Sequence, residues 1–500
     1  MKTNTLSLLA LIGALFLMTA CASEETNSKQ EPEQKPDAKG LTAFVVNNGA
    51  TRTTADYDGS GLNFYWTEGD RLWVNNGTLI QDNSSNITDL LTDNPSIPTA
   101  VKRTATARFY FSGTYTAPSY PVRYTGKNST VGDKVTIKSQ QAQALPNDAA
   151  HIGEDGDCGT GTAINSGGGY NFTLDHKASY LTLLPYSTIN FSTAVKLTQV
   201  KITADEALSG LFNFDDSGID LGSRPTPTPA NRSITLTLSG GGTNGFVIPV
   251  AAAKETNSPI MVLPPGTYNN VSIEYTLYDQ FTTKTETIKK EYATLTFVPG
   301  KNKKISTNLQ MRSYITPMGY WREFVGPNTN QALWYIHRGD PHLDQTTIFA
   351  AKRSATSPAN ICLGGVWVKK AAKIPGFTSS TDHTGTNQIY YWESYHVDGY
   401  SGYLCNMNGH VVSPLLTGIP TNISDYYFIP GVTPHGTGDG VSIQSASKYG
   451  FIRYWIGTRF YGHLVQGNVF AINMPPYVST PYMEIGCNYS TNVIPYWQAQ

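Results

Sequence analysis

Residues 41–74 read LTAFVVNNGATRTTADYDGSGLNFYWTEGDRLWV, and the fold turns on how this stretch divides. LTAFVV and LNFYWTEGDRLWV have the alternating, aromatic-rich character of β-strands. The segment between them, NNGATRTTADYDGSG, is crowded with turn-forming residues. It carries Arg52 in a polar, loop-like setting, which is what a trypsin-like protease needs, and cleavage concentrates at such loop tips. The expectation is a first strand that can be cut away from its own sandwich after Arg52. Its loss would leave a groove beside the WTEGDRLWV strand, open to a strand from another molecule. An uncut first strand followed by an ordinary surface arginine fits the same residues.

Outward from this stretch, the chain is too long, at 500 residues, for one core, so two to four domains are expected. A formal net charge of −1 with 15% charged residues excludes charge steering and gives no reason to expect nucleic acid as a partner. Thirty Tyr and 46 Gly, with few long amphipathic stretches, point to an extracellular protein that is mostly β.

The N-terminus begins with Lys2, continues through an apolar core from Leu6 to Leu17, and closes on Met18-Thr19-Ala20-Cys21. That core is too short to be a comfortable transmembrane span. Residues 1–21 resemble a bacterial lipoprotein signal, with Met18 where such boxes usually have Leu. The resemblance implies that Cys21 is lipidated and anchors the protein to the outer membrane. An ordinary secretory signal with an incidental Cys is the alternative. Ala22-Ser23-Glu24-Glu25 resembles the acidic tag that sends lipoproteins of the Bacteroides group to the cell surface. Residues 22–40, charged and nearly free of apolar side chains, read as a disordered tether.

Residues 41–185 read as a first β-sandwich domain, with LNFYW, ARFYFSGTY, KVTIKSQ and ASYLTLLPY separated by turn clusters. The glycine-rich stretch HIGEDGDCGTGTAINSGGGY (151–170) lacks the Lys-Ser/Thr ending of a phosphate loop and is expected to be a surface loop. Residues 186–312 read as a second sandwich. Ile234, Leu236 and Leu238 alternate with Thr and Ser, and Val271, Ile273, Tyr275 and Leu277 alternate in the same way, so each strand turns one apolar face inward.

The order of the first strand, TRTT, FYWTEGDRLWV, HIGEDGDCGT, YNFTLDHKASYL, VLPPGTYNNVSIEYTL and FVPGKNKKISTNL is similar to the fimbrillin-like (Mfa/FimA-type) lipoproteins of Bacteroidales. This resemblance covers about Leu41 to Leu309. It implies two transthyretin-like β-sandwich domains and maturation by an Arg-specific protease that removes the first strand. A neighbouring fimbrial subunit's C-terminal strand then fills the groove. Carried onto this chain, Cys21 is the lipidation site and Arg52 the processing site; Lys39 and Arg71 are other trypsin-like positions that fit less well.

Stalk subunits of that family end soon after the second domain, whereas this chain continues. The segment from Tyr320 onward holds six of the eight Trp and seven of the nine His, a shift that marks a third domain over 313–500. DYYFIPG (425–431), FIRYWIGTRF (451–460) and NVFAINM (468–474) resemble the lectin-like Fibrobacter major-paralogue modules of Bacteroidetes surface proteins. The fold class expected is therefore mostly β: two transthyretin-like sandwiches followed by a C-terminal α+β C-type-lectin-like domain. EPN and WND sugar motifs are absent, so calcium-dependent sugar binding does not carry over.

The histidines reproduce neither HExxH nor a nucleophile elbow, so no enzyme, cofactor or metal is expected. Cys158, Cys362, Cys405 and Cys487 allow three complete disulfide pairings in an exported protein, and spacing does not choose among them. Arg338-Gly339-Asp340 copies a tripeptide that host integrins read, which matters only if it lies in an exposed loop. Tyr391, Trp392 and Tyr395 are candidates for a sugar-stacking platform, with a core role as the alternative, while Trp455 is expected in the core. Together these residues describe a surface-exposed fimbrial adhesin, placed at the tip or cap because a third domain stands where a donated strand would be. Its partners would be other fimbrial subunits and a surface glycan or protein. A monomeric cell-surface glycan-binding lipoprotein is the alternative.

Overall fold

The computed structural model describes residues 40–46, 54–97, 99–316, 318–319, 327–387, 392–397, 400–405, 411–412, 414–435, 442–445, 451–455, 467–473, 479–488 and 494–495. Cys21, Arg52 and Tyr391 lie outside these residues. Strands dominate, as the composition leads one to expect, and among the described residues only Thr329–Arg338 is a helix longer than four residues.

The first sheet has nine strands. Its order runs Leu79–Gln81, Trp73–Asn75, Ser119–Tyr124, Gly159–Asn165, Tyr170–Asn171, Thr42–Val46, Ala107–Phe111, Ser84–Ser85, with Asp175–His176 also pairing Gly159–Asn165. Phe44, Val46, Trp66, Leu72, Val74, Phe109, Phe111 and Val122 share one buried core.

LNFYWTEGDRLWV is not one strand. Leu62–Tyr65 pairs with Thr54–Tyr57, so the far half of the polar segment is itself a strand, and the hairpin closes on Asp58 and Gly61. The Asp58 carboxylate accepts the Ser60 and Gly61 N–H groups at 2.7 and 2.8 Å, and these bonds hold its pKa down at about 2. The chain then turns at Thr67–Asp70, because Asp70 accepts the Thr67 N–H at 2.7 Å and Gly69 takes φ +89°. It re-emerges as Trp73–Asn75, where Arg71 Nε donates to both Asp82 carboxylate oxygens at 3.1 Å.

The stretch 151–170 is not a surface loop either. Ile152–Asp155 is a short helical turn, Asp157 and Cys158 are wholly buried, and Gly159–Asn165 is an interior strand. Glycine serves there because a Cβ at Gly161 would lie 2.1 Å from the Thr173 carbonyl oxygen.

A second pair of sheets encloses the largest core. One contains Gln140–Gln143, Ser233–Leu238, Val195–Thr203, Gly266–Asp279 and Lys284–Phe297; the other runs Ile260–Leu263, Ser179–Tyr186, Asn302–Asn308. Ile234, Leu236, Leu238, Val271, Ile273, Tyr275 and Leu277 are all buried, as their alternation predicts. Gln140–Gln143 and Ser179–Tyr186, which precede residue 186 or end on it, take their partners from this second set.

The region after Arg312 contributes the sheet Ser313–Ile315, His342–Lys352, Asn360–Lys369, Tyr426–Pro430, and a second sheet of Val411–Val412, Tyr482–Asn488, Gly467–Asn473 and Phe451–Trp455. Thr329–Arg338 begins with a capping box, in which Asn328 and Gln331 satisfy each other's backbone N–H groups. A polar weld joins this region to the second sandwich. The wholly buried Asp279 accepts the Phe281 and Thr282 N–H groups with one carboxylate oxygen, and the Asn360 side chain and Ile361 N–H, at 2.9 and 2.8 Å, with the other. Ala359 also bridges to Phe191.

Candidate functional site: the slot of the first strand

Thr42–Val46 occupies the interior of its sheet, although it stands near the start of the chain. On one side it runs antiparallel to Ala107–Phe111, from Thr42 opposite Phe111 to Val46 opposite Ala107. On the other it runs parallel to Tyr170–Asn171, with Phe44 opposite Tyr170 and a further bond from Phe172 N–H to the Val45 carbonyl at 3.0 Å. Every residue from Ala43 to Val46 is buried, Phe44 and Val46 completely.

The groove that its loss would open is therefore bounded by Ala107–Phe111 and Tyr170–Asn171, and not by the WTEGDRLWV segment. The reason is that Trp73–Asn75 already has a partner on each side, Leu79–Gln81 and Ser119–Tyr124. A vacated slot would expose two sets of unpaired backbone groups, one on each flank.

Phe44 is the anchor. Its ring stacks on Tyr170 at 4.8 Å and 12°, and meets the edges of Phe111 at 4.9 Å and Tyr115 at 5.3 Å; Tyr120 is 6.5 Å away. These walls are held independently of Phe44. Tyr170 Oη donates to the Ala117 carbonyl at 2.8 Å, and Tyr120 Oη accepts the Thr116 and Ala117 N–H groups, each at 3.0 Å. Burial beside Tyr120 raises the Tyr115 phenol above its ordinary pKa, so that ring stays uncharged at neutral pH. Gly169 completes the slot, since a Cβ there would stand 2.6 Å from the Ala43 carbonyl oxygen. Sequence reasoning missed Tyr115, Tyr120 and Tyr170 as a group; the density of Tyr around 110–124 was the available signal.

Of the residues singled out in sequence, Cys21, Arg52 and Tyr391 are outside the described residues. Trp392 and Tyr395 belong to the hairpin Trp392–Val397 with Tyr400–Cys405, but their side chains are outside what is described, as is that of Trp455. Arg338-Gly339-Asp340 is not an exposed loop. It ends the helix Thr329–Arg338, Gly339 is buried, and the Asp340 carboxylate accepts the Tyr426 hydroxyl at 2.6 Å and pairs with Lys369 at 3.2 Å. Arg338 is exposed, but with Gly339 buried and the Asp340 carboxylate engaged the tripeptide is not the free loop that an integrin-type reading requires.

Cys158 and Cys362 are buried free thiols, so no complete pairing of the four cysteines holds; the side chains of Cys405 and Cys487 are outside what is described. Burial raises the thiol pKa values of Cys158 and Cys362, so neither is a nucleophile at neutral pH. Among the described residues no group of three His, Cys, Asp or Glu side chains could hold a metal ion, and no helix is long and apolar enough to cross a membrane.

No protein-family model and no curated protein matches the chain. Solved structures do. A candidate cell adhesion protein from Bacteroides ovatus is 11% identical, covering 54% of this chain and 93% of its own, with a TM-score of 0.30. A second, from Bacteroides uniformis, is 14% identical over 55% and 94%, with a TM-score of 0.29. A fimbrial protein from Bacteroides ovatus is 13% identical over 59% of each chain, with a TM-score of 0.21. At such scores these likenesses support no conclusion about this chain's chemistry.

Proposed function

We propose that this protein is a fimbrial adhesin that reaches the cell surface as a lipoprotein and whose first strand is a removable plug. In this reading Cys21 carries the lipid anchor of the uncut chain, cleavage after Arg52 removes everything before Thr53, anchor and first strand together, and a strand from a neighbouring fimbrial subunit refills the slot. The observation that carries it is the position of Thr42–Val46: an interior strand, paired on both sides, reached from the chain's N-terminal end. An interior slot offers a replacement strand backbone hydrogen bonds on two flanks and an aromatic pocket between them, which is what assembly by strand addition requires.

A tip or cap position is supported by what comes after the second sandwich. Its last strand, Asn302–Asn308, is followed at once by Ser313–Ile315, which pairs with His342–Lys352 of the next region. That segment is committed to its own sheet, and Asp279 ties a neighbouring strand of the same region, at Asn360 and Ile361, to the second sandwich, which argues against its donation to another subunit. The region 313–500 is then the recognition domain, lectin-like in kind, with Tyr391, Trp392 and Tyr395 as its candidate glycan-stacking residues. Immunogold labelling of surface filaments with an antibody to 313–500 tests the placement: label at filament ends is expected, and uniform labelling of the shaft contradicts it. Glycan arrays with the Trp392→Ala variant test recognition, and unchanged binding removes that residue from the site.

A further inference from the structure

The slot of Thr42–Val46 holds two completely buried side chains, Phe44 and Val46. We propose that it selects the incoming strand by an aromatic residue at the position now held by Phe44, followed two residues later by a β-branched residue at the position of Val46. The proposal rests on the reading of the slot given above and deepens it by stating the chemistry of the partner strand.

The two positions differ in what surrounds them. Phe44 enters a box of four rings, Phe111, Tyr115, Tyr120 and Tyr170, of which Tyr170 offers a face and Phe111 and Tyr115 offer edges. Only a planar ring meets faces and edges in that arrangement; an aliphatic side chain fills part of the volume without the ring contacts. Because the hydroxyls of Tyr120 and Tyr170 are tied to the 116–117 backbone, the box keeps its width when Phe44 leaves, and does not collapse onto a smaller occupant. Val46 by contrast is completely buried opposite the small, buried Ala107, and the side chain that now fills this position is β-branched. The backbone on the parallel flank is approached so closely at Gly169 that the incoming strand must also lie flat there. The partner is therefore a β-strand of another subunit with the pattern aromatic, any residue, β-branched.

The test uses the full chain with a site for a highly specific protease placed in residues 47–53, so that the first strand can be released whether or not Arg52 is the natural cut. Labelled peptides spanning residues 41–52 are then exchanged into the cut protein. The natural peptide is expected to enter, the Phe44→Ala peptide to bind weaker by on the order of 100-fold, and the Phe44→Leu peptide to fall between them. Tyr170→Leu in the protein is expected to shrink the difference between the natural peptide and the Phe44→Leu peptide, since ring coupling needs both partners. Equal binding of the natural, Phe44→Ala and Phe44→Leu peptides would overturn aromatic selection and leave strand exchange standing. Failure of every peptide, the natural one included, would overturn both.

Discussion

Phe44 and Tyr170 lie face to face across a parallel strand pair, with ring centroids 4.8 Å apart and 12° between their planes. This pair ties the first strand to a sheet whose other members come from much later in the sequence. Removing Phe44 from its box in the uncut chain, by Phe44→Ala, should destabilise the protein by roughly 3–5 kcal/mol. Chemical denaturation checks it, with Thr42→Ala as a control expected to cost little. A cost below about 1 kcal/mol would mean that the strand is not seated as described.

Gly169→Ala should loosen the same strand without touching any of its side chains. The new Cβ would meet the Ala43 carbonyl oxygen at 2.6 Å, so the backbone must shift, at a cost of about 1–3 kcal/mol. Hydrogen exchange at residues 42–46 should accelerate. Gly168→Ala, whose Cβ meets nothing within 4 Å, should leave exchange unchanged.

Asp279→Ala should uncouple the C-terminal region from the second sandwich. The carboxylate accepts from four donors, two in its own turn and two at Asn360 and Ile361, and all four lose this acceptor when it is removed, Asn360 Nδ2 keeping only Ser192 Oγ at 2.9 Å. A loss of roughly 3 kcal/mol is expected. Unfolding should also split into two transitions, read by intrinsic Trp fluorescence against far-UV circular dichroism. A single unchanged transition would refute the weld.

Acid should act on the short turn at 151–155 through two groups of opposite sign. Burial raises the Asp155 carboxyl to about 6, despite Lys138 at 3.1 Å, so its contribution to stability is full below the ordinary carboxylate pKa and is lost as pH rises through about 6. Burial lowers the His151 ring to about 4, so its contribution is full above about 6.5 and is lost as pH falls toward 4. The two oppose each other between these limits. Asp155→Asn should make the protein lose stability more steeply on acidification from pH 7 to 4.5, and His151→Gln less steeply. Denaturation midpoints at the two pH values check both signs, and identical pH dependence in wild type and variants would contradict them.

Much of the second sandwich is legible in the sequence because each strand carries its own period. Ile234, Leu236 and Leu238 alternate with hydroxyl residues, and burial follows that alternation without help from distant residues. The slot is a different matter. Nothing local in LTAFVV says that its neighbours are Ala107–Phe111 and Tyr170–Asn171, since pairing between strands far apart in sequence leaves no local period. Gly159–Asn165 is hidden for another reason, because the glycines that let Thr173 approach also remove the side chains by which a strand is recognised. Arg338-Gly339-Asp340 illustrates the limit of short motifs: its meaning depends on Tyr426 and Lys369, which lie far along the chain from Asp340.

Whether the first strand leaves its slot on assembly is decided by the N-terminal sequence of the protein taken from purified surface filaments. A start at Thr53, with residues 41–52 absent, is the expected result. A lipidated Cys21 at the N-terminus, with LTAFVV still attached in assembled material, would contradict it.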